Sequence, residues 1–210
     1  MRTTTPGTGL AAVGLAVALL VSGCGDSPDN DTGAASEART ATNGDVFNDA
    51  DVRFAQSMIQ HHAQAIQMVL LTRNRLVDDE VEGIANAVRD AQVPEIETMS
   101  DWLTAWDEKV PETSLSHSNA GHDMDDMSGM AGMDDMPGMM SEDDMTSLEE
   151  ASDEEFQSMW LAMMIEHHQG AVEMAQVEQG DGLFDPALTL AEDIAATQTE
   201  EIALMEDLRG

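Results

Sequence analysis

Two separated stretches of this 210-residue chain repeat in one register, and that repeat limits the fold more than any other feature. "MIQHHAQAIQM" (58–68) aligns with "MIEHHQGAVEM" (164–174) at an offset of 106 residues. The same offset, without a gap, aligns "QVPEIETM" (92–99) with "QTEEIALM" (198–205). Chance does not hold one register across two motifs, so the chain carries a duplicated unit. Apolar positions in each copy fall three or four apart, as on one face of a helix. They are Phe54, Met58, His62, Ala65, Ile66, Val69 and Leu76 in the first, and Trp160, Met164, His168, Ala171, Val172 and Ala175 in the second. Ser152 with Glu155 reads as a capping box, and Asp185-Pro186 as an N-cap and an N1 proline, with Asp79 at the matching place in the first copy. Short loops at 74–79 and 180–185 make each unit an antiparallel hairpin. One hairpin leaves its apolar face open, whereas two cover each other. The predicted fold is all-α: a four-helix bundle of two duplicated hairpins, 46–107 and 152–210, joined by a long crossover at 108–151. Pro94 falls inside the second helix, where it should remove a backbone bond and kink the chain at a cost of about 3 kcal/mol.

The N-terminus stands apart from this unit. Arg2 precedes the apolar run "LAAVGLAVALLV", which ends in "VSGC". A positive start, a short apolar region and small residues mark a secretory signal, and the run is too short and Gly-rich for a good membrane span. Val21-Ser22-Gly23-Cys24 resembles the bacterial lipobox, whose cysteine is diacylated and becomes the mature N-terminus. Residues 1–23 are therefore read as a lipoprotein signal peptide and 24–45, rich in Gly, Ser, Thr, Asp and Asn, as a disordered stalk. Cys24 is the sole cysteine, so no intrachain disulfide forms, and a lone core thiol is the plain alternative to lipidation. The implied location is the outer face of the bacterial cell membrane, with lipid as the anchor. Acidic residues outnumber basic ones 42 to 8, giving a net charge of -34. That balance excludes nucleic acid, whose phosphates need Lys and Arg, and electrostatic docking on anionic lipid. It suits either simple self-repulsion in solution or attraction of cations.

Both repeats carry a His-His doublet, His61-His62 and His167-His168. Adjacent helical residues point about 100° apart, so the two members of a doublet cannot both face the bundle axis. The apolar periodicity puts His62 and His168 at the centre of the face and His61 and His167 at its edge. Met58, Met68, Met164 and Met174 flank the doublets, and the opposite helices carry the stripes Gln92, Glu95, Met99 and Gln198, Glu201, Met205. A single such His, Met or Glu is ordinarily packing or a solvated charge. Their joint recurrence points to metal: imidazole with thioether suits copper, Cu(I) above all with Cu(II) accommodated, while imidazole with carboxylate suits copper, zinc or iron.

Met-Ile-x-His-His-x-x-Ala-x-x-Met followed by Gln-x-x-Glu-Ile-x-x-Met resembles the bacterial family known as domain of unknown function 305, over residues 46–106 and 152–208. The resemblance implies a ferritin-like helical fold and, for some members, copper binding and tolerance. Neither copy has the Glu-x-x-His of di-iron ferritins, which weakens a ferroxidase reading.

The crossover holds "HSNAGHDMDDMSGMAGMDDMPGMMSEDDM" (117–145), with His117, His122 and a methionine at every third position through Met124, Met127, Met130, Met133, Met136 and Met139. It offers no helix-length apolar face, so folding it would bury too little to offset the ordering entropy. Thioethers carry no proton to lose and hold Cu(I) in a pliable chain, while the Asp residues attract cations. An acidic linker, or a sink for oxidants through sulfoxide formation, would use the same residues.

The reading that joins these features is a lipid-anchored protein outside the cytoplasmic membrane that buffers or relays copper, with a copper-handling protein as the partner a relay needs. Two alternatives stay open: a metal-dependent oxidoreductase with a His/Glu centre in the bundle core, and a structural envelope lipoprotein without metal. No nucleophile elbow, phosphate loop or cysteine cluster is present, which weighs against an enzyme without removing it. The anchor is open to direct test: Cys24→Ser should move the protein from the membrane to the soluble fraction. Firm retention of the mutant on membranes would refute lipidation as the attachment.

Overall fold

The computed structural model describes residues 37–113 and 136–210, all within one compact unit, Ala35–Gly210. The signal sequence, Cys24 and most of the methionine run lie outside the described residues. Four long helices form the bundle: α1 (Asp49–Thr72), α2 (Asp79–Ala105), α4 (Asp153–Asp181) and α5 (Asp185–Arg209). A short α3 (Glu142–Glu150) lies in the crossover, and a two-residue hairpin, β1 (Arg39–Thr40) with β2 (Val46–Phe47), precedes α1. The helices pair α1 with α2 and α4 with α5, and the two hairpins meet chiefly along α1 and α4.

The duplication is visible in the packing. One apolar cluster contains Phe54, Ala55, Met58, Ile59 and Met99 with Ala171, Ala187, Ala191 and Ile194. The other contains Trp160, Leu161, Met164, Ile165 and Met205 with Ala65, Val81, Ala85 and Val88. Shifting either set by 106 residues gives the other. Each cluster therefore draws on both hairpins, as a pseudo-two-fold axis requires, and α1 and α4 run antiparallel across it. The doublets stand between the clusters: on α1 one cluster precedes His61 and the other follows His62, and on α4 the order is reversed.

Several local expectations need correction. Ser152 is the N-cap of α4, but its hydroxyl donates to Glu155 Oε2 at 2.7 Å instead of accepting a backbone N–H. Leu76 is exposed in the α1–α2 loop rather than on the apolar face. Pro94 sits within a continuous α2, and it and Asp90, whose carbonyl loses its partner, are both exposed, so water can meet that carbonyl. Residues 37–45 of the expected stalk are ordered. Arg39 bonds Glu108 at 2.6 Å and Asp49 at 2.9 Å and lies over Phe47, which stacks on Trp106 at 4.4 Å. Residues 136–151 of the crossover are ordered. Ser141 and Asp144 form a capping box that starts α3, and Leu148 buries fully against the second cluster. Arg75 then fastens the far end, bonding the carbonyls of Glu149 and Ala151 while lying 4.8 Å from the Phe156 ring.

One buried carboxylate ties two chain segments. Asp51 accepts from Asn48 N at 2.6 Å in the α1 capping box and from Leu183 N and Phe184 N, both at 2.9 Å, in the α4–α5 loop. Beside it Glu178 is 1% exposed. Burial first, then a shared proton and the negative charge of Asp51, push the Glu178 carboxyl up to about 9 from 4.5, with Arg53 opposing. The folded chain keeps this proton while the unfolded chain releases it above about 4.5, so the contribution to stability declines as pH rises from 4.5 to 9. Glu178→Gln should remove that decline. At pH 8 the variant is expected to exceed the parent by at least about 1 kcal/mol, or about 2–4 °C in midpoint, with the difference closing toward pH 4.5. Thermal unfolding across this range checks it, and a difference independent of pH would count against the shared proton.

Candidate metal centre

The four imidazoles occupy the middle of the bundle, and all are 0% exposed. His61 and His167 meet across the pseudo-two-fold axis with ring centroids 3.7 Å apart and planes tilted by 36°. His62 turns instead toward its own hairpin, where its Nε2 lies 2.7 Å from Glu95 Oε2, and His168 repeats this with Glu201 Oε2 at 2.8 Å. This reverses the expected placement. His61 and His167 are the central pair, and the 100° step between neighbours is what lets one doublet address two helices. On α1, His61 faces α4 and His62 faces α2; on α4, His167 faces α1 and His168 faces α5.

The hydrogen bonds fix the ring tautomers. The carboxylates of Glu95 and Glu201 accept, so a neutral His62 or His168 donates from Nε2 and leaves Nδ1 as a bare lone pair. His61 Nε2 lies 3.1 Å from the carbonyl oxygen of Pro137, which can only accept, so His61 takes the same tautomer. Nδ1 of all four rings and Nε2 of His167 are buried without a partner. A buried polar atom left unsatisfied costs about 1–3 kcal/mol, and five such atoms would together rival the whole stability of an ordinary domain. Metal coordination is the chemistry that would satisfy lone pairs placed in this way, and an imidazole whose other nitrogen donates to a carboxylate or carbonyl is the usual form of a metal ligand.

Charge is excluded from the central pair. Burial, then the repulsion a protonated His62 would exert, drive His61 down to about 3 against the pull of the Pro137 carbonyl. Burial, then His61 and His168, hold His167 well below the ordinary range. Both rings are neutral and ligand-competent at ordinary pH, so protons compete weakly for their lone pairs.

The other predicted ligands divide by place. Met58 and Met99 are fully buried in one cluster, and Met164, Met205 and Met68 in the other. Met174 is half-buried and shares a cavity of about 250 Å³ with Met136, Ser57 and Glu178. Met139 is half-buried on the crossover. His117, His122, Met124, Met127, Met130 and Met133 lie outside the described residues. Among the described residues no three or more His, Cys, Asp or Glu side chains stand together as a metal site. A complete ligand set at the imidazoles would thus draw on sulfur or a carbonyl.

Residues that sequence reasoning missed are Gln64, Pro137 and Gly170. Gln64 Nε2 donates to Met140 O and Gln64 Oε1 accepts from Met140 N, both at 2.8 Å. Gly170 lies against Pro137 and Gly138. Positions 64 and 170 are equivalent under the 106-residue offset and hold unlike residues, and a glycine in a helix interior is itself a sign of close approach.

The family described as domain of unknown function (DUF305) matches residues 51–209. A DUF305 protein of Streptomyces coelicolor, taken to be secreted, is 30% identical, with 76% of this chain and 89% of that one covered at a TM-score of 0.62. A DUF305 fragment from Deinococcus radiodurans is 28% identical, covering 82% and 99% at 0.63. CopM in its Cu(II)-bound form is 25% identical, covering 76% and 95% at 0.58. A comparison with functionally curated proteins finds no match. With three quarters of its length matched by one family, and with the same helical architecture as two structures of that family, this chain belongs to the DUF305 family.

Proposed function

We propose that the chain is a lipid-anchored, extracytoplasmic copper-binding protein that buffers or relays copper. The observation that carries this reading is the His61–His167 pair, neutral, buried and in ring contact, with lone pairs that no protein group satisfies. The likeness to CopM, a protein seen with Cu(II), supports copper as the ion, and the relative taken to be secreted supports the location. No helix among the described residues is long and apolar enough to cross a membrane.

Two kinds of site follow from the ligands. Imidazoles held on rigid helices, flanked by two clusters that contain thioethers, make few and well-ordered sites. The thioethers from Met124 to Met133 make additional, exchangeable Cu(I) sites that gather the ion, and a copper-handling protein takes it on. Cu(I) is favoured because sulfur is soft, while imidazole also accepts Cu(II).

Titration with Cu(I) against a competing chelator separates these contributions. Changing His61 and His167 together to Gln should abolish the tightest site, with helical content retained. Changing Met124, Met127, Met130 and Met133 to Leu, which nearly conserves volume, should lower the Cu(I) stoichiometry and spare the tight site. Unchanged binding in the His variant would overturn the central site, and unchanged stoichiometry in the Met variant would return the run to a linker.

A further inference from the structure

The crossover does not simply pass the bundle; its segment Met136–Met140 is laid across the pseudo-two-fold axis. On one side Gln64 holds Met140 by a reciprocal pair of hydrogen bonds to its main chain. On the other, Pro137 and Gly138 rest directly on α4. Gly138 has φ +73, and a Cβ there would stand 2.6 Å from Glu166 O. A Cβ on Gly170 would collide with the Pro137 carbonyl and stand 2.7 Å from Gly138 Cα. Alanine at position 170 would favour the helix by about 1 kcal/mol, so the glycine serves the contact and not the helix. The strap breaks the symmetry of the duplication: His61 Nε2 meets the Pro137 carbonyl, while the equivalent His167 Nε2 has no such partner on the crossover.

We propose that the Pro137 carbonyl is a positioning group of the metal centre. It fixes His61 in the Nε2–H tautomer with Nδ1 free, and so does for His61 what Glu95 and Glu201 do for His62 and His168. Three imidazoles of the layer then present the same nitrogen, two of them through carboxylates supplied by their own hairpins and one through the crossover. The strap is thereby part of the site, and Gly170 and Gln64 are the residues that seat it. This rests on the copper reading above. Loss of such a partner typically weakens metal binding about 10- to 100-fold.

Gly170→Ala in the full chain unseats the carbonyl without touching an imidazole, and Gln64→Leu releases the other side of the strap. Nitrogen NMR of the metal-free protein should show His61 protonated at Nε2 in the parent and as a mixture of tautomers in both variants, with helical circular dichroism unchanged. Cu(I) affinity at the tight site should fall about 10- to 100-fold in both. Three results overturn the proposal: a His61 tautomer that does not respond, a tautomer that changes with no effect on affinity, or an affinity that rises, which would make the carbonyl a competitor of the metal. Failure of the copper reading is separately visible. The His61/His167 variant would then bind Cu(I) like the parent, while the ring NMR still decides whether the strap sets the tautomer.

Discussion

The contact between His61 and His167 organises the rest of the molecule. Two polar rings at 3.7 Å in the interior of a helical bundle need a reason, because burial holds both in the neutral form and denies them water. Everything around them limits their freedom. The apolar clusters close both ends of the layer, Glu95 and Glu201 orient the flanking imidazoles, and the strap covers the pair from the side. What remains to the rings is a set of lone pairs in a dry environment, and the flanking clusters hold the buried thioethers of Met58, Met99, Met68, Met164 and Met205.

The duplication, the helices and the identity of the doublets were legible in the sequence because they leave periodic traces. The direction of each histidine was not. Apolar periodicity describes one face, whereas α1 and α4 each have two helical neighbours, and a residue at the edge of one seam is the centre of the next. Met174 shows the same effect: its equivalent, Met68, is fully buried, while it lies half-exposed on a cavity. The strap left almost no trace because its bonds are main-chain bonds, made by Pro137 O and by the N–H and C=O of Met140. Only Gly170, out of place in a helix, pointed to it. Asp51 and Glu178 were hidden among 42 acidic residues that otherwise look like solvated charge.

The acid excess is used unevenly. Most of it faces water and keeps the chain dispersed. A few carboxylates do structural work inside: Asp51 joins the start of α1 to the α4–α5 loop, and Glu95 and Glu201 stand behind imidazoles. Two of the eight basic residues likewise stand at joints, with Arg39 fastening the N-terminal hairpin to the end of α2 and Arg75 fastening the crossover to α4.

The interchange of clusters under the 106-residue shift has a consequence for how such a molecule can arise. Neither hairpin owns a core, since each cluster takes its residues from both. A single hairpin of this pattern has the self-complementary surface of a subunit in a symmetric homodimer, in which equivalent positions meet across a two-fold axis. Joining two such subunits in one chain frees equivalent positions to diverge. Phe54 faces Trp160 in that comparison, Val81 faces Ala187, and Gln64 faces Gly170. A symmetric pair would present two identical imidazoles to a metal ion; the fused chain can make one of them different, and the linker required by fusion is the element that does so.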